Sequence, residues 1–347
     1  MDGMRQWNIH LPIRWMSGIA KTDTSRRPLL TAIRAPKSVI QKNRKHRMRL
    51  GHFDLNLFVT LDALLETCSI TRAGEQLHIG ASAISSALGR LREHFDDELL
   101  TQVGRRMELT PLAQSLREPV RDIILRSRAT LAAKSDFDPS REQRRFVFNA
   151  SDYATTVLLT PLAQRLESEA PGISIDIVGL GDSNVQKLER GEVDIAIYPD
   201  RNASAAHPQE ALLSEGYTCV VWTGYARDTL SFDDYMAARH VATGFGERRV
   251  PTFESWFLSE HGMARNVVVT ASTFNALPLL VVGTQRIATM HTQLAQMYQR
   301  LLPVRLLPVP FDIPPLKLVM QWNRHNDQDA AHTWLRQQLK AIASEAC

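Results

Sequence analysis

The sequence predicts two units of different class. An N-terminal all-α helix-turn-helix carries a small wing and leads through a linker helix into a C-terminal α/β region of two lobes. Three observations predict this. Apolar residues recur at helical spacing from Leu57 to Phe95. A short hairpin signal then appears at Gly104-Arg105-Arg106. From Arg145 onward, short apolar runs alternate with amphipathic stretches, as in a parallel sheet with crossover helices.

In the first unit, Asp54 is placed to cap a helix with Leu57, Phe58, Leu61, Leu64 and Leu65 on one face. Ser69 or Thr71 opens a second helix, TRAGEQLH, that turns Ile70, Ala73 and Leu77 inward. After Ile79-Gly80 comes a third, ASAISSALGRLREHF, with Ile84, Leu88, Leu91 and Phe95 along one stripe. Gly80 is expected to supply the flexible corner, and Gly74 to let the two helices approach closely. DDELLTQVGRRMELTP then reads as two short strands, the wing. Residues 111–134 form a further helix in which Leu112, Leu116, Val120 and Ile123 make a seam. That seam suits pairing with a second copy; a lone amphipathic helix packed on its own domain is the alternative. Pro119 removes a backbone donor inside it, so a kink or break is expected there.

Asp136–Glu142, with Pro139, is read as a hinge. Beyond it FVFNA is a strand, followed by a helix through Leu158–Glu169, the strand ISIDIV, a helix over Val185–Glu189 and the strand VDIAIY. A second lobe begins near Tyr217–Trp222, with strands at His240–Thr243, Val267–Thr270 and Ile287–Thr289. Leu316–Trp322 and a helix through Thr333–Ala343 return to the first lobe. The expected organisation is a basic extension over 1–47, a helix-turn-helix domain over 48–110, a linker helix and hinge over 111–137, and a ligand-binding region over 138–347. Within that region the first lobe covers about 142–213 and 316–347, and the second about 214–315. Two such lobes joined by crossing strands enclose a cleft suited to a small ligand.

Basicity misleads here. Residues 1–47 hold 11 of the 41 Lys and Arg and only Asp2 and Asp23 as acids, a net +9, so the remaining 300 residues carry 30 basic and 35 acidic side chains, or −5. The overall charge therefore belongs to the extension, which reads as a disordered or non-native arm; the natural product is expected to begin at Met48. No apolar run approaches membrane-spanning length. Cys68, Cys219 and Cys347 are too few and too scattered for a disulfide framework or a zinc site, which suits the cytoplasm.

The third helix places Ser82, Ser85, Ser86 and Arg90 opposite its buried stripe, where hydroxyls and a guanidinium can meet base edges and phosphates of double-stranded DNA. Thr71 and Arg72 on the preceding helix, and Arg105 and Arg106 on the wing, extend that face. The competing reading is a structural or protein-docking module. Residues 48–110 hold six basic and nine acidic side chains, so affinity must come from local placement of Arg72, Arg90, Arg92, Arg105 and Arg106 rather than from a broad field. In the second unit, Ser151-Asp152-Tyr153 end the first strand, and Ser272-Thr273-Phe274 follow VVVT in the equivalent place across the cleft. Tyr198 and His291 complete the candidate ligand set, a structural histidine being the plainer reading of His291. GLGDSN at Gly179–Asn184 lacks the third glycine of a dinucleotide loop and reads as a plain loop. No HExxH, Walker loop, G-x-S-x-G or CxxC motif occurs. No metal, cofactor or catalytic residue is expected, and an enzyme is a runner-up class with no positive support.

From Met48 to the C-terminus the chain resembles the LysR-type transcriptional regulators. The resemblance rests on FDLNLFVTLDALLETCSITRAGEQLH and ALGRLREHFDDELLTQVGRRMELTP. VGTQRIATMHTQLA, LPVRLLPVPFDIPP and VMQWNRHNDQDAAHTWLR carry it to the NodD/NahR-like branch, SyrM-type members included. It implies a homodimer or homotetramer on an interrupted palindromic operator, activating through RNA polymerase. It also implies a periplasmic-binding-protein-like effector domain that takes a small aromatic inducer, flavonoid or salicylate-like. A constitutive regulator, and a small-molecule binder whose helix-turn-helix only dimerises, remain alternatives. The family's Ser-Gln-Pro-Ala is here Gly80-Ala81-Ser82-Ala83, so the glutamine falls on Ala81, which makes no side-chain hydrogen bond.

Overall fold

The computed structural model describes residues 53–132 and 137–345. The extension over 1–47, the start at Met48 and Asp136 at the start of the hinge lie outside the described residues.

Helix α1 (Asn56–Thr67) buries Leu57, Leu61, Leu64 and Leu65. Asp54 serves its start, its carboxylate accepting from the Asn56 amide at 3.0 Å. Helix α2 (Ile70–Leu77) is capped by Ser69, whose side chain accepts from the Arg72 amide. Helix α3 (Ala81–Phe95) buries Ile84, Leu88 and Leu91. Between α2 and α3 the left-handed residue is His78 (φ 56°); Gly80 sits at φ −65°, which any residue adopts, so the corner is not where the glycine suggested. Gly74 does answer to close approach, since a Cβ there would lie 2.8 Å from the Ile79 carbonyl oxygen. Strands β1 (Leu100–Val103) and β2 (Arg106–Leu109) pair antiparallel around Gly104 at φ 62°, making the wing.

Helix α4 (Pro111–Ala132) runs as one element through Pro119, so the expected break is absent. Val120 and Ile124 face inward, while Ile123 and Leu131 are exposed. Thr110 starts it, accepting from the Ala113 amide while donating to Asp97.

The strands that follow are β3 (Arg144–Ala150), β4 (Ile173–Gly179), β5 (Ile195–Pro199), β6 (Gln209–Glu215), β7 (Tyr217–Trp222), β8 (Arg239–Phe245), β9 (Val250–Pro251), β10 (Asn266–Ala271), β11 (Arg286–His291), β12 (Val304–Pro308) and β13 (Leu316–Trp322). They form two sheets. One is ordered β4-β3-β5-β13-β6, with β3 parallel to β4 and β5 and with β13 antiparallel to β5 and β6. The other is ordered β10-β8-β11-β7-β12, with β9 added to β8. The chain crosses from the first sheet to the second at Glu215-Gly216-Tyr217 and returns between β12 and β13. Sequence periodicity missed β6, β9 and β12.

The helix after β3 begins at Asp152, earlier than its periodicity indicates, and passes through a π-helical turn (Thr155–Leu159) before Thr160–Glu169. This extra turn carries Ser151 and Tyr153 toward the gap between the sheets. The last helix, Ala330–Glu345, buries Leu335, Leu339 and Ile342 against the first sheet's side of the core.

Candidate functional site: the helix-turn-helix face and the cleft between two lobes

The eight positions marked for DNA contact (Thr71, Arg72, Ser82, Ser85, Ser86, Arg90, Arg105 and Arg106) are all exposed. Ser82, Ser85, Ser86 and Arg90 lie on the side of α3 opposite Ile84, Leu88 and Leu91, because the stripe that packs on α1 leaves them outward. Not every arginine of this domain is equally available. Arg92 donates to the Glu98 and Leu100 carbonyl oxygens at 2.8 and 3.0 Å and pairs with the Glu98 carboxylate, so it fixes the base of the wing. Arg72 donates to the Thr67 carbonyl at the end of α1. Arg90 reaches Asp54 at 3.4 Å, an exposed pair of small worth. Ala81 is the first residue of α3 and is exposed, with no side-chain cap at Gly80 before it.

Between the lobes lies a cavity of about 540 Å³. Strand ends build it, as expected where parallel strands terminate. Ser151 and Tyr153 come from the end of β3, Tyr198 from β5, Phe274 from the turn after β10 and His291 from the end of β11. Ser151 is buried and its hydroxyl accepts from the Ala154 amide, which orients the turn. Tyr198 donates to Gln321, and burial pushes its phenol up to about 12, so it stays protonated.

His291 is the centre of an aromatic cluster. Its ring stacks on Tyr153 at 4.1 Å between centroids, meets Phe274 edge-on at 4.6 Å and lies 5.3 Å from Tyr217. Burial pushes the imidazole down to about 3, so it is neutral. Among the described residues its buried Nδ1 meets no hydrogen-bond partner. Tyr153 donates to Glu215, whose carboxyl is raised by burial, an effect that this bond opposes.

Three marked residues stand elsewhere. Asp152 does not line the cavity; its two carboxylate oxygens accept from the Phe274 and Asn275 amides at 3.0 and 2.7 Å and tie one lobe to the other. Ser272 is exposed, and the Thr273 carbonyl accepts from the Thr243 hydroxyl. The reason is topological: β10 is an edge strand, and Asp152 draws its C-terminal turn across so that only Phe274 faces inward.

The sequence reading missed other walls. Tyr217 enters from the crossing strand, and Phe245, Arg248 and Phe253 from the β8–β9 segment and the helix after it. Leu180, Gly181 and Asn184, within the GLGDSN stretch read as a plain loop, close the side. Arg201 lines the mouth and lies 3.6 Å above the Trp256 ring, a cation–π contact between lobes. The clue for the loop was its position directly after β4, and for Tyr217 its place at the crossing.

A regulator built from a winged helix-turn-helix and a two-lobed binding domain is the class this architecture defines. Residues 55–114 match the family described as "Bacterial regulatory helix-turn-helix protein, lysR family", and residues 139–344 match "LysR substrate binding domain". The chain belongs to the LysR family of transcriptional regulators and is not an enzyme. It is 38% identical to "Nodulation protein D 1" of Rhizobium tropici over 302 residues, covering 86% of this chain and 97% of that one. With "Nodulation protein D 1" of Mesorhizobium japonicum it shares 37% over 299 residues, 86% of this chain and 95% of the relative. Among solved structures, the probable transcriptional regulator PA0477 of Pseudomonas aeruginosa superposes with a TM-score of 0.57 at 32% identity, covering 84% of this chain and 98% of that one. Among the described residues no helix is long and apolar enough to cross a membrane.

Proposed function

We propose that the chain is an inducer-responsive activator that binds an interrupted palindromic operator as a homodimer or homotetramer and acts through RNA polymerase. Ser82, Ser85, Ser86 and Arg90 read the major groove, Thr71 and Arg72 meet the flanking backbone, and Arg105 and Arg106 hold phosphates from the wing. Residues 48–110 serve DNA, 111–137 link and dimerise, and 138–347 sense the ligand.

The observation that carries the sensing role is the cavity itself. Its inner wall is aromatic, formed by Tyr153, Tyr198, Tyr217, Phe274 and His291, and its volume of about 540 Å³ is in the range of small-molecule sites. A flat aromatic compound stacks on such a wall. A hydroxyl on it would meet the unpartnered His291 Nδ1, whereas a carboxylate there would face a neutral imidazole. Arg201 and Arg248, which also line the cavity, suit a carboxylate, so a flavonoid and a salicylate-like acid both fit the lining.

Calorimetric titration of the full chain with unsubstituted flavone, a hydroxylated flavone and salicylate tests this. Saturable binding of a flavone that weakens about tenfold or more in His291→Phe supports the reading. Binding of no aromatic, with the operator still occupied, favours a constitutive regulator instead.

A further inference from the structure

The cavity's side wall is joined to the DNA-binding domain by a short helix, Asn184–Glu189. Asn184, Val185 and Gln186 line the cavity, while Gln186, Glu189 and Arg190 line a second hollow of about 520 Å³ against α1 and α4. Gln186 thus belongs to both.

At the far end of this helix the contacts are charged and specific. Arg190 pairs with Glu66 of α1 at 2.7 Å, and the Arg190 carbonyl accepts from Arg121 of α4 at 3.2 Å. Arg121 also pairs with Asp62 at 2.9 Å, and Glu66 accepts from Gln76 of α2 at 3.2 Å. Glu66 therefore joins three helices of the DNA-binding half to one turn of the sensing half. Gly191 completes the fit: it sits at φ 64°, and a Cβ on it would lie 2.4 Å from a Leu125 methyl of α4. A second prong holds the same helix, for Asn323 donates to the Leu188 carbonyl and the neighbouring His325 meets Asp122 of α4 at 2.7 Å. Asp62, Glu66, Arg121, Asp122, Arg190 and His325 of the second hollow are paired with one another, so its charges serve to hold the joint.

We propose that the Asn184–Glu189 helix is the transmission element of this regulator, with Arg190 and Glu66 as the joint through which occupancy of the cavity alters the docking of the DNA-binding domain. The inference rests on reading the cavity as the effector site. Gln186 and Arg190 stand four positions apart, only about 6 Å along the helix axis, so a ligand that shifts the helix at Gln186 shifts Arg190 with it. Glu66 and Asp62 are largely buried at this joint, and losing an arginine partner leaves a carboxylate desolvated, which makes the docked and undocked arrangements discrete. By reciprocity, operator DNA that favours one arrangement must change ligand affinity equally.

Two measurements test it on the full chain, using Arg190→Ala, Glu66→Gln and the double variant. Hydrogen exchange needs no ligand: the amides of 184–189 should exchange about tenfold faster or more in Glu66→Gln, although the substitution lies in the other domain, and the double variant should exceed neither single by much. Unchanged exchange in that helix overturns the proposal. In the second arm, flavone and salicylate are titrated with and without an operator fragment. DNA should shift the affinity of a bound probe by about fivefold or more in the unaltered chain and by less than about twofold in Arg190→Ala. An equal shift in both overturns the joint as the route. If neither probe binds, the effector reading fails, and the exchange result alone decides the joint.

Discussion

Tyr153 and His291 stack with ring centroids 4.1 Å apart, the one carried by the turn after β3 and the other by the end of β11. Because Tyr153 also donates to Glu215 at the crossing between the sheets, this pair ties both lobes and the crossing segment to one point of the cavity. Replacing Tyr153 by Ala should lower inducer affinity and also destabilise the domain by about 3–5 kcal/mol, since a fully buried ring is lost. Chemical denaturation beside the binding titration separates the two effects.

Buried neutral histidines give the effector domain a definite acid response. Burial lowers His291 to about 3, and His240 and His332 to about 4, from an ordinary value of 6.5. As pH falls through the ordinary value, the unfolded chain takes up these protons first. Stability is therefore full above about pH 6.5 and drops below it, by about 1.4 kcal/mol per pH unit per group, until the folded values are reached. Urea unfolding at about pH 7.5, 6.0 and 5.0 measures the slope, and His291→Phe should remove one group's share. An identical slope in that variant would show that His291 is not held neutral.

Asp152 is marked by its position as a ligand residue, yet its carboxylate is fully engaged with the Phe274 and Asn275 amides. Asp152→Ala should cost about 1–3 kcal/mol and speed exchange of those two amides, through two buried donors left unsatisfied. A change in ligand affinity without loss of stability would return Asp152 to the binding set.

Gly74→Ala should disable DNA binding while leaving the effector domain intact. The added Cβ would lie 2.8 Å from a backbone oxygen, so α2 and α3 must separate. Operator affinity and inducer titration, compared in the same variant, show whether the loss is confined to one domain.

On the wing and recognition helix the two kinds of contact predict different signatures. Arg105→Ala should weaken binding to all sequences alike and reduce the salt slope by about one. Ser85→Ala should cost about 1–3 kcal/mol only on the proper operator. Ala81→Gln restores the family's residue at an exposed first position of α3, and should change the preferred base there if that position faces the groove.

The helix-turn-helix was readable because one-sided burial leaves a 3.6-residue pattern, and the stripe from Leu57 to Leu91 records it. The walls of the cleft were readable only where a strand end announced itself. Ser151, Tyr153, Tyr198, Phe274 and His291 follow or end strong strands; Leu180 also follows a strand, β4, but lies in a stretch that reads as a plain loop, whereas Tyr217 and Phe253 depend on how the chain crosses and folds back. Strands β6 and β12 escaped because QEALLSE and VRLLP alternate weakly and gain their place from pairing with β13 and β7. Pro119 does not break its helix for a related reason: the helix around it is held by burial of Val120 and Ile124, and tertiary packing outweighs one missing donor. The joint at Arg190 and Glu66 joins residues 124 apart in sequence, beyond any spacing rule.

Footprinting of the full chain on the DNA upstream of its own and neighbouring genes, at two salt concentrations and with or without flavone and salicylate, probes both halves of the molecule at once. The expected result is a salt-sensitive footprint over two half-sites whose length or bending changes with one aromatic compound. No footprint even at low salt would contradict it.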